Sequence, residues 1–199
     1  MDKKKVLVTA GPVYGRLDDN KLVGNRIRGV WAVRFAQSLW SRGHKVVLLV
    51  PDLMKHTPGL IVHGDGWETI FHTGFDDYYA QCVRLSHEVD AAVMAAAVVN
   101  WIPANPVTGK MPTEGYKAGD TIDIPFKLAP RVIDEMRTDR CKCVIGCKML
   151  SGSTHEQLID AAYGVSLRAR CNLVIANDLS NLRSSPTTSR HCRRDVGRI

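Results

Sequence analysis

The apolar run Val6-Leu7-Val8 is followed at once by Thr9-Ala10-Gly11-Pro12, then by a polar loop ending in Gly24-Asn25-Arg26-Ile27-Arg28-Gly29. Beyond Gly29, residues Ala32, Phe35, Ala36, Leu39 and Trp40 recur at the spacing of an amphipathic helix. A buried strand, a glycine turn and a helix whose free N–H groups face that turn make the anion cradle of α/β proteins. The start of the chain therefore predicts a mouth built to face a nucleotide. It is not the plain dinucleotide fingerprint, because Gly11, Gly15, Gly24 and Gly29 are too dispersed for GxGxxG. A connection of about eighteen residues also exceeds the usual two to six. Such a loop is either a binding element or disordered, and the glycine and basic residues leading into the helix favour binding.

The remaining chain alternates strand and helix signals. Lys45 to Val50 (KVVLLV) reads as the second strand, introduced by the helix stop Arg42-Gly43-His44. Residues 51–66 read as loop, Glu68 to His72 as a short strand, and Phe75 to Glu88 as a helix with Asp76 and Asp77 at its positive end. The apolar run Asp90 to Val99 is ambiguous by period alone, but its place in the alternation makes it a central buried strand. From Asn100 to Phe126, Pro103, Pro106, Pro112, Gly109, Gly115 and Gly119 break any regular element, so this insertion is expected to form a flap over the mouth. Pro130 to Arg137 reads as a short helix, Cys141 to Met149 as a strand, and Asn172 to Ala176 as the last strand. Thr154 to Arg170 reads as a helix capped by Ser153 or Thr154. The expected fold is a Rossmann-like, doubly wound, mostly parallel six-stranded α/β sheet with a long flap after the fourth strand. One domain is expected over residues 1–182, followed by a basic irregular tail over 183–199.

With 199 residues and 45% hydrophobic content, the chain can bury one sizeable core. No apolar run approaches a membrane span, and the Met-Asp-Lys-Lys-Lys start lacks a signal-peptide core, so a cytoplasmic protein is expected. Part of the net charge of +7 sits at the two ends, as Lys3 to Lys5 and Arg190, Arg193, Arg194 and Arg198. Solvated tails of this kind make nucleic acid the weaker expectation, and a basic cleft for phosphates fits as well. The six cysteines contain no CxxC pair. That argues against zinc and for buried, reduced thiols.

Sites in such sheets lie outside the carboxyl ends of the strands. The residues expected there are the Gly11 to Gly29 loop, Asn100, Lys110, Lys117, Lys127 to Pro130, Cys147-Lys148 and Asn177-Asp178. No serine nucleophile elbow, HExxH or marked pair of catalytic carboxylates is present. What remains is amide donors, lysines and helix N-termini, an inventory suited to binding phosphates and stabilising charge in a transfer reaction. Each residue also has a plainer reading: Lys110 as a solvated lysine, Asn25 as the cap of the following helix, Cys147 as packing.

Together these residues resemble a known family. Val6-Leu7-Val8-Thr9-Ala10-Gly11-Pro12, then Leu17-Asp18 and Asn25, are similar to phosphopantothenoylcysteine synthetase, the ligase domain of the bacterial bifunctional coenzyme A flavoprotein. Ala95-Ala96-Ala97-Val98-Val99-Asn100-Trp101-Ile102-Pro103 resembles its AAVADYRP. Lys110 falls at the first lysine of its KxKK motif. Gly119-Asp120, Lys127-Leu128-Ala129-Pro130 and Val174-Ile175-Ala176-Asn177-Asp178-Leu179-Ser180 resemble its GD, VxNP and VANDVS elements. The resemblance covers about residues 5–182.

The resemblance implies a ligase that joins 4′-phosphopantothenate to cysteine, using CTP or ATP with Mg²⁺ to form an acyl-nucleotide that the cysteine amine then displaces. It implies catalytic roles for Asn25, which would hold the acyl intermediate, and Lys110, which would bind the triphosphate. Gly11, Gly29, Met94, Ala95, Ala96, Ala97, Asn100, Lys127, Leu128, Ala129, Pro130, Cys147 and Lys148 would line the nucleotide site, and Arg26 and Arg28 would join Asn25 at the substrate. The departures are specific. Arg26-Ile27-Arg28-Gly29-Val30 replaces the family's SSGK, Asn100 replaces the aspartate of AAVADY, and Pro112 replaces the third position of KxKK. Gly146-Cys147-Lys148-Met149-Leu150-Ser151 lies closer to the FKLET of eukaryotic ATP-using members than to the bacterial GFAAET. The family's dimer strands follow VANDVS, where this chain shows no strand pattern, so a homodimer is an open expectation. The rival expectation is a relative that binds a nucleotide or phosphorylated ligand without ligating it. A different Rossmann enzyme, such as a dehydrogenase or nucleotide-sugar enzyme, is the third.

Overall fold

The computed structural model describes residues 2–57, 62, 64–180 and 190–193. Its central sheet takes strands β1 (Lys5–Thr9), β2 (Lys45–Pro51), β3 (Trp67–His72), β4 (Ala91–Met94), β5 (Cys143–Leu150), β6 (Leu173–Asp178) and β7 (Arg190–Arg193). The spatial order is β3-β2-β1-β4-β5-β6-β7. The first six strands pair parallel throughout, as expected. The seventh is an addition: residues 190–193 pair antiparallel with β6, Leu173 opposite Arg193 and Ala176 opposite Arg190. Within the expected irregular tail these four residues are thus a strand, and the rest of 183–199 lies outside the described residues.

Parallel strands covered on both faces read as continuous apolar runs. In β2 every residue after Lys45 is buried. Alternate side chains feed two cores. Leu7, Val47, Leu49, Ala92, Val144 and Val174 pack with α2 (Phe75–Ser86) and α3 (His155–Arg168) on one face. Val6, Val8, Val46, Leu48 and Val50 pack with Ala32, Val33 and Ala36 of α1 (Val30–Ser41) on the other. Helix α3 carries the expected cap as a full capping box, Thr154 accepting from the Gln157 N–H and Gln157 reaching back to Thr154. Losing such a box costs about 1 kcal/mol.

Two expected elements differ. The run 90–99 is not one strand. Pairing in the main sheet stops at Met94, and Ala97–Val98 instead pairs with Pro12–Val13 in a separate parallel ribbon. Thr9 Oγ1 accepts from the Ala96 N–H at 3.1 Å and marks the departure. The expected short helix over 130–137 is a single 3-10 turn, Val132–Glu135. In the expected loop 51–66, Asp52–Met54 form a 3-10 turn, and residues 58–61 and 63 lie outside the described residues.

Candidate functional site at the strand-order switch

The chain steps outward from β1 to β2 and β3, then returns to β4 on the other side of β1. The crevice where this reversal occurs, at the carboxyl ends of β1 and β4, is where open α/β sheets bind ligands. Here its floor is the first turn of α1 meeting the loop that leaves β1. Gly29, at the start of α1, has φ +73°, and a Cβ there would stand 2.2 Å from the Gly11 nitrogen. Gly11, at φ +81°, is hemmed in as well, by Met54 and Pro51. Both positions need glycine for conformation and for space. The first turn of α1 carries no acidic residue and no side-chain cap.

The loop between Gly11 and Gly29 is ordered by short pairings. Gly15–Arg16 pairs antiparallel with Leu22–Val23, and the Ala97 and Val99 N–H groups donate to the Gly11 and Val13 carbonyls. Asn25 lies across this ribbon. Its side-chain amide donates to the Ala97 carbonyl at 3.1 Å and the Val98 carbonyl at 3.0 Å. The helix-cap reading of Asn25 is therefore overturned: Gly29 starts α1, and both hydrogens of the Asn25 amide serve the β4 side of the crevice. Asn25 and Asn100 line an open depression of about 520 Å³, with Val23, Gly24, Val99, Trp101 and Phe126 as its apolar walls.

Of the other residues expected at the site, Met94 ends β4 and Ala95 to Ala97 lead from it into the ribbon. Lys127 and Leu128 pair with Ile102 and Trp101, and the Ala129 N–H donates to the Asn100 carbonyl at 2.8 Å, with Pro130 next in the chain. Cys147 and Lys148 sit on β5, just beyond the Gly146–Met94 pairing. Burial pushes the Cys147 thiol up to about 12, so packing describes it better than chemistry. Arg26 and Arg28 are exposed, and neither makes a hydrogen bond or ion pair among the described residues.

Lys110 is not in the depression. It lies in the irregular excursion 104–125, whose base is the Trp101–Pro103 and Phe126–Leu128 ribbon. The excursion touches the 17–19 turn along a short front. The Val107 N–H donates to the Leu17 carbonyl, the Gly109 N–H to Asp19 Oδ2 at 2.8 Å, and the Met111 N–H to Asp18 Oδ2 at 2.9 Å. Asp18 is fully buried and also receives the Lys21 ammonium at 2.9 Å. That ammonium, together with backbone N–H groups, holds the Asp18 carboxyl well below the usual carboxylate range. Sequence reasoning used Leu17-Asp18 only as a landmark and assigned no role to Asp18 or Asp19. A carboxylate that contacts backbone ninety residues away leaves no local signal.

Asp178, named among the residues at the strand ends, turns out to serve the backbone. It is buried and accepts from the Gly152 and Ser153 N–H groups at 3.2 and 2.8 Å, the Ser153 hydroxyl at 2.7 Å and the Ser180 N–H at 2.9 Å. The Ser180 hydroxyl donates as well. The hydroxyls and amides keep its carboxyl well below the ordinary range.

A doubly wound, mostly parallel sheet with a crevice at its switch point defines a Rossmann-like α/β protein. The chain belongs to the family of the DNA/pantothenate metabolism flavoprotein C-terminal domain, which it matches over residues 1–190. It is 26% identical over 185 residues to the coenzyme A biosynthesis bifunctional protein CoaBC of Thermococcus kodakarensis, covering 90% of this chain and 42% of that protein. To CoaBC of Mycobacterium bovis it is 27% identical over 180 residues, 87% of this chain and 41% of that protein. The chain thus spans about two fifths of the length of these curated relatives. Among solved structures, the DNA/pantothenate metabolism flavoprotein of Streptococcus pneumoniae superposes with a TM-score of 0.80 at 18% identity, covering 96% of this chain and 90% of that one. Cab2 H337A in complex with phosphopantothenate-cysteine superposes with a TM-score of 0.70 at 14% identity, covering 98% and 81%. The family expected from the motifs is the family found. Among the described residues no helix is long and apolar enough to cross a membrane.

Proposed function

We propose that this chain is a phosphopantothenate–cysteine ligase of coenzyme A synthesis. A carboxylate oxygen of 4′-phosphopantothenate attacks the α-phosphorus of CTP or ATP, and pyrophosphate leaves. The cysteine nitrogen then attacks the acyl carbon, the nucleoside monophosphate leaves, and the amine loses a proton. Family membership supports the reaction class, and CoaBC relatives and the product-bound Cab2 structure point the same way. The observation that carries it to this chain is the anchoring of Asn25. With both amide hydrogens spent on Ala97 and Val98, its carbonyl oxygen is left to accept from an attacking amine over the crevice.

Activation brings two anions together, so positive charge has to meet the triphosphate. Lys110, Arg26 and Arg28 supply it, the arginine forks standing where the family has serines and a lysine. Among the described residues no three His, Cys, Asp or Glu side chains group to hold a metal. Mg²⁺ would come with the triphosphate as part of the substrate and would supply charge neutralisation there. The 104–125 excursion, carrying Lys110, acts as the flap that covers the reacting groups.

The test is pyrophosphate release with Mg²⁺ and CTP or ATP, with and without 4′-phosphopantothenate. Release that requires the acid supports the ligase. Nucleotide binding without release for any pantothenate-like acid supports the second reading, a binding protein, which the unpartnered Arg26 and Arg28 in the altered loop favour.

A further inference from the structure

We infer that Asp18 and Asp19 are positioning residues that clasp the peptide on either side of Lys110 and aim its ammonium; this rests on the reading that Lys110 meets the triphosphate. The residue before Lys110 is held twice by Asp19: the Gly109 N–H donates to Asp19 Oδ2 at 2.8 Å, and the Asp19 N–H donates to the Gly109 carbonyl at 3.0 Å. The residue after it is held by Asp18, whose Oδ2 accepts from the Met111 N–H at 2.9 Å. Lys110 is the single residue between two pinned neighbours, while its own side chain is exposed and unpartnered among the described residues.

The charges are arranged to keep it so. Two carboxylates beneath a lysine would ordinarily capture it. Here Asp18 is already satisfied by Lys21 Nζ at 2.9 Å and by the Asn20 and Lys21 N–H groups at 2.7 and 2.5 Å. Asp19 Oδ1 is taken by Arg16 at 3.0 Å. The Lys110 ammonium is left for a ligand. Farther out, the excursion is bonded chiefly to itself, as in Tyr116 N–H to Thr113 and Asp120 N–H to Lys117. The clasp, with the Val107 N–H bond to the Leu17 carbonyl beside it, is therefore what orders the Lys110 segment. The same turn continues into Asn25, which is tied to Ala97 and Val98. One loop thus sets the spacing between the residue proposed to hold the reacting centre and the cation proposed to hold the phosphates.

Asp19 is the side chain to test, being half exposed where Asp18 is buried. Affinity for Mg-CTP and Mg-ATP is measured by calorimetry for the wild type, Asp19→Ala, Asp19→Asn, Lys110→Ala and the double variant Asp19→Ala/Lys110→Ala, with thermal midpoints recorded alongside. Asp19→Ala is expected to weaken the better nucleotide about five- to tenfold, the scale of one ordinary hydrogen bond. Asp19→Asn, which keeps an acceptor for Gly109, is expected to recover most of that loss. In the Lys110→Ala background, Asp19→Ala is expected to change affinity less than about twofold, because the group it aims is gone. A purely structural role would instead add its full loss in either background, and that result overturns the inference while leaving the ligase reading intact. If Lys110→Ala itself leaves affinity unchanged, or the wild type binds neither nucleotide, the reading of Lys110 fails and the inference fails with it.

Discussion

The Asn25 side-chain amide donates to the Ala97 carbonyl at 3.1 Å, joining residues 72 positions apart in the sequence and closing the loop after β1 onto the loop after β4. With the companion bond to Val98, the amide has no hydrogen left for a ligand. Asn25→Asp is therefore not a neutral swap of one cap for another: it sets a carboxylate against two carbonyl oxygens. At neutral pH the variant is expected to lose about 1 kcal/mol of stability. It is also expected to impair aminolysis, so that an acyl-nucleotide accumulates in the presence of cysteine and is visible by mass spectrometry. Acidification should restore part of the stability, since the introduced carboxyl regains one donor when it is protonated. A variant that turns over at the wild-type rate at all pH values would remove Asn25 from the mechanism.

Lys110→Ala is expected to weaken triphosphate binding by about 1.5–3 kcal/mol, the cost of a charge-assisted contact. On the proposed reading the ammonium addresses phosphate, so nucleoside affinity should be unaffected. Calorimetry with CTP against cytidine, or ATP against adenosine, separates the two. Equal affinity of variant and wild type for the triphosphate would return Lys110 to the status of a solvated lysine.

Gly29→Ala is expected to be severe although the position is only partly buried. The left-handed φ costs about 1–2 kcal/mol in a residue with a Cβ. The overlap with Gly11 backbone comes on top, and no flexible side chain is available to yield. Urea denaturation should show the loss, and nucleotide binding should fall with it. A midpoint equal to wild type would mean that α1 can lift from β1 at little cost.

His72 gives the chain an acid limb. It ends β3 fully buried, and neither ring nitrogen has a hydrogen-bond partner among the described residues. The Tyr78 ring lies 5.1 Å away and the Tyr14 ring 6.2 Å away, with Asp52 and Asp77 the nearby charges. Burial outweighs the two carboxylates and lowers the imidazole from 6.5 to about 4. Between those values the unfolded chain binds the proton and the folded chain does not, so stability rises with pH across the window and is lost as pH falls through it. The loss approaches about 3 kcal/mol by pH 4. Replacement by an uncharged residue, His72→Gln, should flatten that slope in denaturation curves at pH 4–7, whatever it does to stability at pH 7. An unchanged slope would assign the acid sensitivity of that window elsewhere.

The strands were legible because burial on both faces leaves the signal in the strand itself: KVVLLV needs no context. The same property misled at 90–99. There an unbroken apolar run hides the point after Met94 where the chain leaves the sheet, and the cause is a hydrogen bond to Thr9, far off in sequence. Strand β7 was invisible for the opposite reason. Arg190-His191-Cys192-Arg193 has no strand-like alternation, and backbone pairing with β6 is what makes it one. Motif spacing singled out Asn25 and Lys110 but not what holds them. Asn25 grips two carbonyls, and the Lys110 segment hangs on Asp18 and Asp19, relations that exist only after the chain has folded.

Helices α1, α2 and α3 begin along the carboxyl edge of the sheet, and each start is a place where an anion gains from the helix dipole. At α3 the Thr154 hydroxyl already accepts from the Gln157 N–H, and the Asp178 carboxylate serves the Gly152 and Ser153 amides just before the helix. At α2 the first helical N–H donates to the Tyr14 carbonyl, and Asp77 reaches back to the Thr73 N–H. Of these three starts, two are thus met by the protein's own oxygens, whereas α1 begins with neither an acidic residue nor a side-chain cap. An anion arriving at this edge meets one open helix start among these three.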